Sequence, residues 1–134
     1  MLSADELIRY NRHLILPGFG KEAQEKLKAS RVLVIGAGGL GCPVLQYLAA
    51  AGIGTIGIVD SDLVDVSNLQ RQILYNTDDI GKSKAETAAK KLALLNPHLT
   101  FKTYNLKFSP ENALDIMSSY DVVVDGSDNF ATRY

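Results

Sequence analysis

The sequence predicts an α/β protein with a doubly wound, mainly parallel sheet behind an N-terminal helical extension. Short apolar runs, typical of buried parallel strands, alternate with segments of helical periodicity. The first run, Val32 to Ile35, ends in a glycine-rich turn, residues 36–41, which opens the next helix. The second run ends at Asp60, about 20 positions after that turn, which is the spacing of a Rossmann-like fold.

Two helices are predicted in the extension, residues 1–30, ahead of the sheet domain, residues 31–134. The first covers residues 3–13, and Ser3 with Glu6 forms the capping-box pattern at its start. The second covers residues 21–28. We expect both to pack on the sheet as a cap.

The sheet domain continues with a regular alternation of elements. Their predicted order is a helix over 42–51, a strand over 55–59, a helix over 82–96, a strand over 100–104, a helix over 109–118 and a buried strand over 122–124. Pro97 ends one helix, while Ser109 and Pro110 open another as N-cap and first residue. A further helix begins at Phe130 and is incomplete at Tyr134, so we expect a sheet truncated after its fourth strand.

This alternation predicts the strand order 3-2-1-4. The chain then reverses its crossing direction between strands one and four, whose carboxyl ends flank the binding crevice of such folds. The glycine turn and the loop over residues 125–129 should therefore face each other across a ligand.

Bulk composition excludes several function classes. The 134 residues suit one domain, with 46% hydrophobic and 22% charged residues. A net charge of −1 gives no electrostatic basis for binding nucleic acid or an anionic membrane. Neither a signal peptide nor a membrane-length apolar stretch is recognisable, so a cytoplasmic location is expected. Cys42 is the only cysteine, which excludes an intrachain disulfide and a C-x-x-C zinc site within this sequence.

The glycine turn follows a strand and opens a helix, which is the context in which G-x-G-x-x-G indicates nucleotide binding. Gly36 permits the tight turn, Gly38 lets the backbone approach a phosphate, and Gly41 lets helix and strand pack closely. The helix N-terminus offers free N–H groups to an anion. Asp60 is positioned to accept hydrogen bonds from ribose hydroxyls.

Three further residues favour ATP over NAD. Arg71 lies in the long polar connection after Asp60. Lys84 occupies the first turn of a helix, where the helix dipole disfavours a cation, so a bound anion explains it better. Asp128 offers the hard oxygen that Mg²⁺ prefers. Two cations, a metal carboxylate and a glycine turn suit phosphoryl-group chemistry on a triphosphate.

Several segments resemble the MoeB/ThiF/HesA adenylating enzymes, the bacterial relatives of the ubiquitin-activating enzymes. In order, they are residues 9–13, the glycine turn, Asp60-Ser61-Asp62, Ser67-Asn68-Leu69-Gln70-Arg71-Gln72, Gly81-Lys82-Ser83-Lys84 and Asp125-Gly126-Ser127-Asp128-Asn129-Phe130. The resemblance covers essentially the whole chain. Its S-N-L-x-R-Q and D-G-x-D-N-F segments are specific to that family.

The resemblance implies adenylation of the C-terminal glycine carboxylate of a ubiquitin-like sulfur carrier of the MoaD/ThiS type. Pyrophosphate is released, and the product serves molybdopterin or thiamine sulfur transfer. Such a carboxylate, with a pKa of about 3.3–3.7, is ionised at neutral pH and needs no general base. That agrees with the absence of an evident His or Cys catalytic pair.

Site roles follow from the same resemblance. Asp60 and the backbone of Gly39 hold the nucleotide, Asn68, Arg71 and Lys84 hold the phosphates, and Asp128 binds Mg²⁺. Arg12 would reach the site from the partner of a homodimer, so the catalytic set is Arg12, Arg71, Lys84 and Asp128. The nucleotide-binding set is Gly36, Gly38, Gly39, Gly41, Asp60, Ser67, Asn68, Leu69, Gln70, Arg71, Lys84, Asp128 and Asn129. Relatives carry zinc-binding C-x-x-C pairs beyond the position of Tyr134, so zinc is expected only in such a C-terminal part.

Two other function classes stay open. An NAD-dependent oxidoreductase or sensor could use the same glycine turn, and a non-catalytic, truncated ATP-binding subunit could keep the nucleotide site alone. By residue pattern alone, Arg12 reads as a surface charge. We expect Cys42 to be a small buried residue, and Lys82 and Lys90 to be surface charges.

Overall fold

The computed structural model describes residues 1–38, 41–70, 72 and 74–126. Its four parallel strands lie in the order β3-β2-β1-β4, which confirms the predicted topology. The strands are β1 Arg31–Ile35, β2 Thr55–Val59, β3 Thr100–Tyr104 and β4 Val122–Asp125.

The described helices begin and end close to their predicted limits. They are α1 Ala4–Arg9, α2 Asn11–Leu14, α3 Gly20–Ala29, α4 Gly41–Ala51, α5 Lys84–Leu95 and α6 Pro110–Met117, with 3₁₀ turns at Val66–Asn68 and Thr77–Asp79. The capping box of Ser3 and Glu6 is present. The prediction of one helix over residues 3–13 is wrong, because the backbone at Tyr10 (φ −100°, ψ 13°) separates α1 from α2.

Helices cover both faces of the sheet. The side chains of β1 alternate between these two faces and contribute to a hydrophobic cluster on each. Val32 and Val34 belong to the larger core cluster, which includes apolar residues of α4 and α5. Leu33 and Ile35 point to the other face, where they form a second cluster with Ile116 of α6. None of the helices in the described ranges is long and apolar enough to cross a membrane.

Strand β4 is less buried than its apolar sequence predicts. Val122 is 53% exposed, and Val123 and Val124 are half-buried. The prediction of a buried fourth strand is wrong because, among the described strands, β4 pairs only with β1 and forms an edge of the sheet.

The N-terminal helices dock through buried polar contacts at the carboxyl ends of α4 and α5. The Tyr10 hydroxyl accepts a 2.7 Å hydrogen bond from Nδ2 of Asn96, the residue that follows α5. Nε2 of Gln24 in α3 donates to the Ala51 carbonyl at 2.8 Å. The ring of Tyr10 lies so close to Gly52 that a Cβ there would be 2.8 Å from it. These contacts fix the position of α2, which carries Arg12.

Candidate nucleotide-binding site

The glycine turn connects β1 to α4 at the carboxyl edge of the sheet. Gly36 has φ +97°, in the left-handed region that favours glycine. A Cβ on Gly41 would overlap with the carbonyl oxygen of Gly36, so only glycine fits there. Both glycine roles predicted for these positions are therefore present in the backbone itself.

Both the N–H and the carbonyl group of Ala37, inside this turn, form hydrogen bonds with side chains. Oδ2 of Asp60 accepts the Ala37 N–H at 2.8 Å, and Oδ1 accepts the Asp62 N–H at 2.7 Å. The Tyr75 hydroxyl donates to the Ala37 carbonyl at 2.7 Å, and the Cys42 thiol donates to the same oxygen at 3.1 Å. Asp60 thus lies beside the glycine turn, as its spacing predicts, and its contact with a ribose stays a prediction.

Tyr75 is a residue of the site that the sequence analysis missed. Its hydroxyl also lies 3.2 Å from the Lys84 carbonyl, so it joins the glycine turn to the start of α5. Burial, followed by the neighbouring Cys42 and Asp60, raises the pKa of Tyr75, which keeps the hydroxyl protonated as a donor. Local sequence gives no signal for this contact, because Ala37 is 38 positions away.

Lys84 is the first residue of α5 and is only 6% exposed. Its backbone N–H donates to the Asp62 carbonyl at 3.0 Å, which places α5 beside the loop that follows β2. No ion pair among the described residues includes Lys84. A buried ammonium at a helix N-terminus, with no carboxylate partner in the part of the chain that the structure describes, suits a site that receives an anion.

The connection after β2 folds on itself around the 3₁₀ turn at residues 66–68. Asp65 accepts hydrogen bonds from the N–H and hydroxyl of Ser67, and Oδ1 of Asn68 accepts the Asp65 N–H. The half-buried Leu69 side chain packs against the larger core cluster, and its predicted contact with nucleotide stays a prediction. Gln70 is exposed.

Gln72 follows this turn and is 3% exposed. Its Nε2 lies 3.3 Å from the position that a Cβ on Gly38 would occupy. Its Oε1 is buried and has no hydrogen-bond partner among the described residues. The polar end of this side chain therefore borders the glycine turn without being satisfied by the surrounding protein.

The loop after β4 meets the glycine turn, as the predicted strand order requires. Gly126 donates its N–H to the Ile35 carbonyl at 2.8 Å, and a Cβ on Gly126 would be 3.0 Å from the Cα of Gly41. The start of this loop therefore lies against Gly41, the last residue of the glycine turn. Residues 127–129 lie outside the described residues, so the prediction that the two loops face each other across a ligand stays a prediction.

The remaining predicted site residues are either outside the described residues or on the surface. Gly39, Arg71, Asp128 and Asn129 fall outside the described residues, so their roles stay predictions. Arg12 is exposed on α2. Within the described ranges no group of three His, Cys, Asp or Glu side chains could hold a metal ion, and the predicted magnesium ligand Asp128 is not in those ranges.

The remaining reactive or charged side chains lie where the sequence predicts them. Cys42 is fully buried, as predicted, and burial raises the pKa of its thiol to about 11. Lys82 and Lys90 are exposed, as predicted. His13 is half-buried, and its Nδ1 lies 3.1 Å from Oε1 of Gln24, which agrees with a structural role.

Comparison with solved structures shows the same fold with nucleotide bound in another protein. The crystal structure of E. coli tRNA N6-threonylcarbamoyladenosine dehydratase, TcdA, in complex with ATP superposes with a TM-score of 0.93 at 30% identity. The match covers 99% of this chain and 54% of that one.

Curated relatives are more similar in sequence. The sulfur carrier protein adenylyltransferase of Thermus thermophilus is 56% identical over 130 residues, or 97% of this chain and 48% of its own length. The adenylyltransferase and sulfurtransferase UBA4 of Scheffersomyces stipitis is 55% identical over 131 residues, or 97% of this chain and 30% of its own length. The chain thus spans between about a third and a half of these relatives. Residues 10–134 match the ThiF family, and this chain belongs to that family.

Proposed function

We propose that this chain is the ATP-binding part of an enzyme that adenylates the C-terminal glycine carboxylate of a ubiquitin-like sulfur carrier. The observation that carries the proposal is the 56% identity to a sulfur carrier protein adenylyltransferase over 97% of the chain. The glycine turn, held at Ala37 by Asp60 and Tyr75, and the buried Lys84 support it, because both suit an anionic nucleotide.

In the proposed reaction, a carboxylate oxygen of the carrier attacks the α-phosphorus of ATP. A bond from that oxygen to the α-phosphorus forms, the bond to the β-phosphate oxygen breaks, and pyrophosphate leaves with the electron pair. Because the carboxylate is already ionised, no proton has to be removed. The main task is to bring two anions together, which requires fixed cations and N–H donors.

The residues proposed for this task come from several segments of the chain. Lys84 and Arg71 would balance the charge of the phosphates, with Asn68 as a further polar contact, and Asp60 would hold the ribose. Asp128 offers a hard carboxylate oxygen that suits Mg²⁺, which supplies charge neutralisation between phosphates when bound. Residues 31–134 would form the nucleotide-binding domain and residues 1–30 its extension. We expect the protein in the cytoplasm, where ATP is available.

The extension is proposed to serve a homodimer. Arg12 is exposed on α2, and the chain that follows exposes two apolar side chains, Ile15 at 69% and Leu16 at 53%. Such a surface suits burial against a second copy, which would bring Arg12 to the partner's nucleotide site. In hybrid dimers, mixing Arg12→Ala with Arg71→Ala protein should restore part of the activity. No recovery despite demonstrated subunit exchange would contradict this arrangement.

Carrier-dependent exchange of labelled pyrophosphate into ATP tests the proposed function. Carriers of the MoaD and ThiS types are compared, each beside a control that lacks the terminal glycine. We expect exchange with one intact carrier and none with the truncated controls, and the preferred carrier identifies the molybdopterin or thiamine pathway. Tight ATP binding without exchange would indicate a non-catalytic nucleotide-binding piece. A clear preference for NADH over Mg-ATP would contradict the proposal.

A further inference from the structure

The structure contains two buried glutamines that differ in the hydrogen bonding of their carboxamides. Gln24 is 0% exposed; its Nε2 donates to the Ala51 carbonyl, and its Oε1 lies 3.1 Å from Nδ1 of His13. Gln72 is 3% exposed, and its Oε1 has no partner. The first carboxamide connects parts of the fold, whereas the second contributes no comparable connection.

The backbone of Gln72 is held firmly between two parts of the site. Its N–H donates to the Asn68 carbonyl at 2.9 Å, and its own carbonyl accepts the Tyr75 N–H at 3.1 Å. Tyr75 in turn holds the glycine turn through Ala37. The carboxamide is therefore placed against Gly38 by main-chain contacts on both sides.

Burial of an unpaired carboxamide oxygen destabilises a protein, since the group loses its hydrogen bonds to water and gains none in return. An unbranched apolar side chain of similar length would fill the same space without that cost. Among the described residues, none forms a hydrogen bond with either end of the Gln72 carboxamide, so the described fold does not depend on its polar atoms. Nε2 lies beside Gly38, where a phosphate bound on the glycine turn would give its N–H an acceptor.

We infer that Gln72 is a nucleotide-binding residue whose Nε2–H donates to a phosphate oxygen of the nucleotide held over Gly38. This inference rests on the proposed ATP site. Phosphate oxygens accept hydrogen bonds, and Nε2 is the atom of Gln72 nearest to the position that a Cβ on Gly38 would occupy. The absence of a side chain at Gly38 serves this contact as well, because a Cβ would lie 3.3 Å from Nε2 and press on the carboxamide.

The substitutions Gln72→Met and Gln72→Glu test this contact in the 134-residue chain. Binding of ATP is measured by titration calorimetry, binding of adenosine by competition with ATP, and the unfolding temperature Tm by circular dichroism. Gln72→Met should weaken ATP binding about tenfold, as expected for one hydrogen bond to a charged group, with adenosine affinity within about twofold of wild type. Its Tm should be equal to or above the wild-type value. Gln72→Glu should weaken ATP binding further, since it places a carboxylate beside the phosphates.

Gln24→Met is the matched control. It removes a satisfied buried carboxamide, so Tm should fall while ATP affinity stays at the wild-type value. Wild-type ATP affinity in Gln72→Met, an equal loss of ATP and adenosine binding, or a lowered Tm would overturn the inference. If the wild-type chain bound no ATP, both the proposed function and this inference would fail. If the wild-type chain bound ATP and Gln72→Met bound it equally well, only this inference would fail.

Discussion

The Asp60 carboxylate accepts the backbone N–H of Ala37 at 2.8 Å, across 23 positions of sequence. Its other oxygen accepts the Asp62 N–H at 2.7 Å. One side chain thus joins the glycine turn to the loop after β2. Asp60 therefore organises the site in addition to its predicted contact with ribose.

Replacement of Asp60 by Asn should lower the free energy of unfolding by about 2 kcal/mol. The carboxamide keeps one oxygen acceptor, but its NH₂ group would face one of the two backbone N–H groups that the carboxylate now accepts. Urea unfolding measures this loss, and ATP titration should show weaker binding. Asp62→Asn is the control, because the Asp62 side chain is exposed and only its backbone takes part in the described hydrogen bonds. Equal stability of the two variants would contradict the assignment.

Gly41→Ala should destabilise the chain by about 3 kcal/mol, because its Cβ would overlap with the Gly36 carbonyl and force the turn to open. Gly18→Ala separates this steric effect from backbone strain. Gly18 has φ +81° with no atom within 4 Å of an added Cβ, so only about 1–2 kcal/mol is expected there. Denaturant unfolding of both variants gives the comparison, and a smaller loss for Gly41→Ala than for Gly18→Ala would refute it.

Lys84→Met should reduce carrier-dependent exchange by about 10²–10³-fold, by analogy with the loss of one donor to a developing oxyanion. The unfolding temperature should not fall, since a buried ammonium without a described carboxylate partner is removed. Lys82→Met, at an exposed position two residues earlier, should change neither property. If Lys84→Met lowered the unfolding temperature while exchange continued at the wild-type rate, Lys84 would be a structural residue only.

Acid stability should depend on the ion pair between Lys91 and Asp79, whose Nζ and Oδ2 lie 2.6 Å apart. Burial acts to raise the pKa of Asp79, but the hydrogen bond from Lys91 and the Asn76 N–H outweigh it, so the pKa lies below its ordinary value of 3.8. A lowered folded-state pKa stabilises the protein above the unfolded value, and this contribution is lost as pH falls through the folded value.

Lys91→Met should therefore cost about 2 kcal/mol of unfolding free energy at pH 7, with the difference from wild type shrinking as pH falls below 4. Urea unfolding between pH 7 and 3 measures the profile. Lys90→Met removes an exposed cation from the same helix and should stay within about 0.5 kcal/mol throughout. A difference that is constant with pH would exclude the ion pair as its source.

The Cys42 thiol should be unreactive in the folded chain. It is fully buried, and burial raises its pKa to about 11, so the thiolate is scarce at pH 8. Alkylation by iodoacetamide should be roughly a hundredfold slower, or more, in buffer than in guanidinium chloride. Rapid labelling of the native chain would instead indicate an accessible thiolate.

Short-range patterns were sufficient for much of this fold. Strand β2 and strand β3 have the predicted limits, and the capping box of Ser3 and Glu6 is present. The break at Tyr10 was missed. The Tyr10 hydroxyl contacts Asn96, 86 positions away, and local periodicity does not show such a contact. The exposure of Val122 agrees with the edge position that the predicted strand order gives to β4, whereas its apolar run by itself predicts burial.

Sequence by itself determined the strand order, the glycine turn, the acid at the end of β2 and the membership of a nucleotide-binding family, because each depends on residue type and spacing along the chain. Only tertiary structure decided that Tyr75 holds Ala37, that Lys84 is buried without a described carboxylate partner, and that Gln72 borders Gly38 with an unpaired oxygen. These facts depend on how the long connection after β2 folds back over the glycine turn. Contacts between segments so far apart have no local periodicity from which they could be predicted.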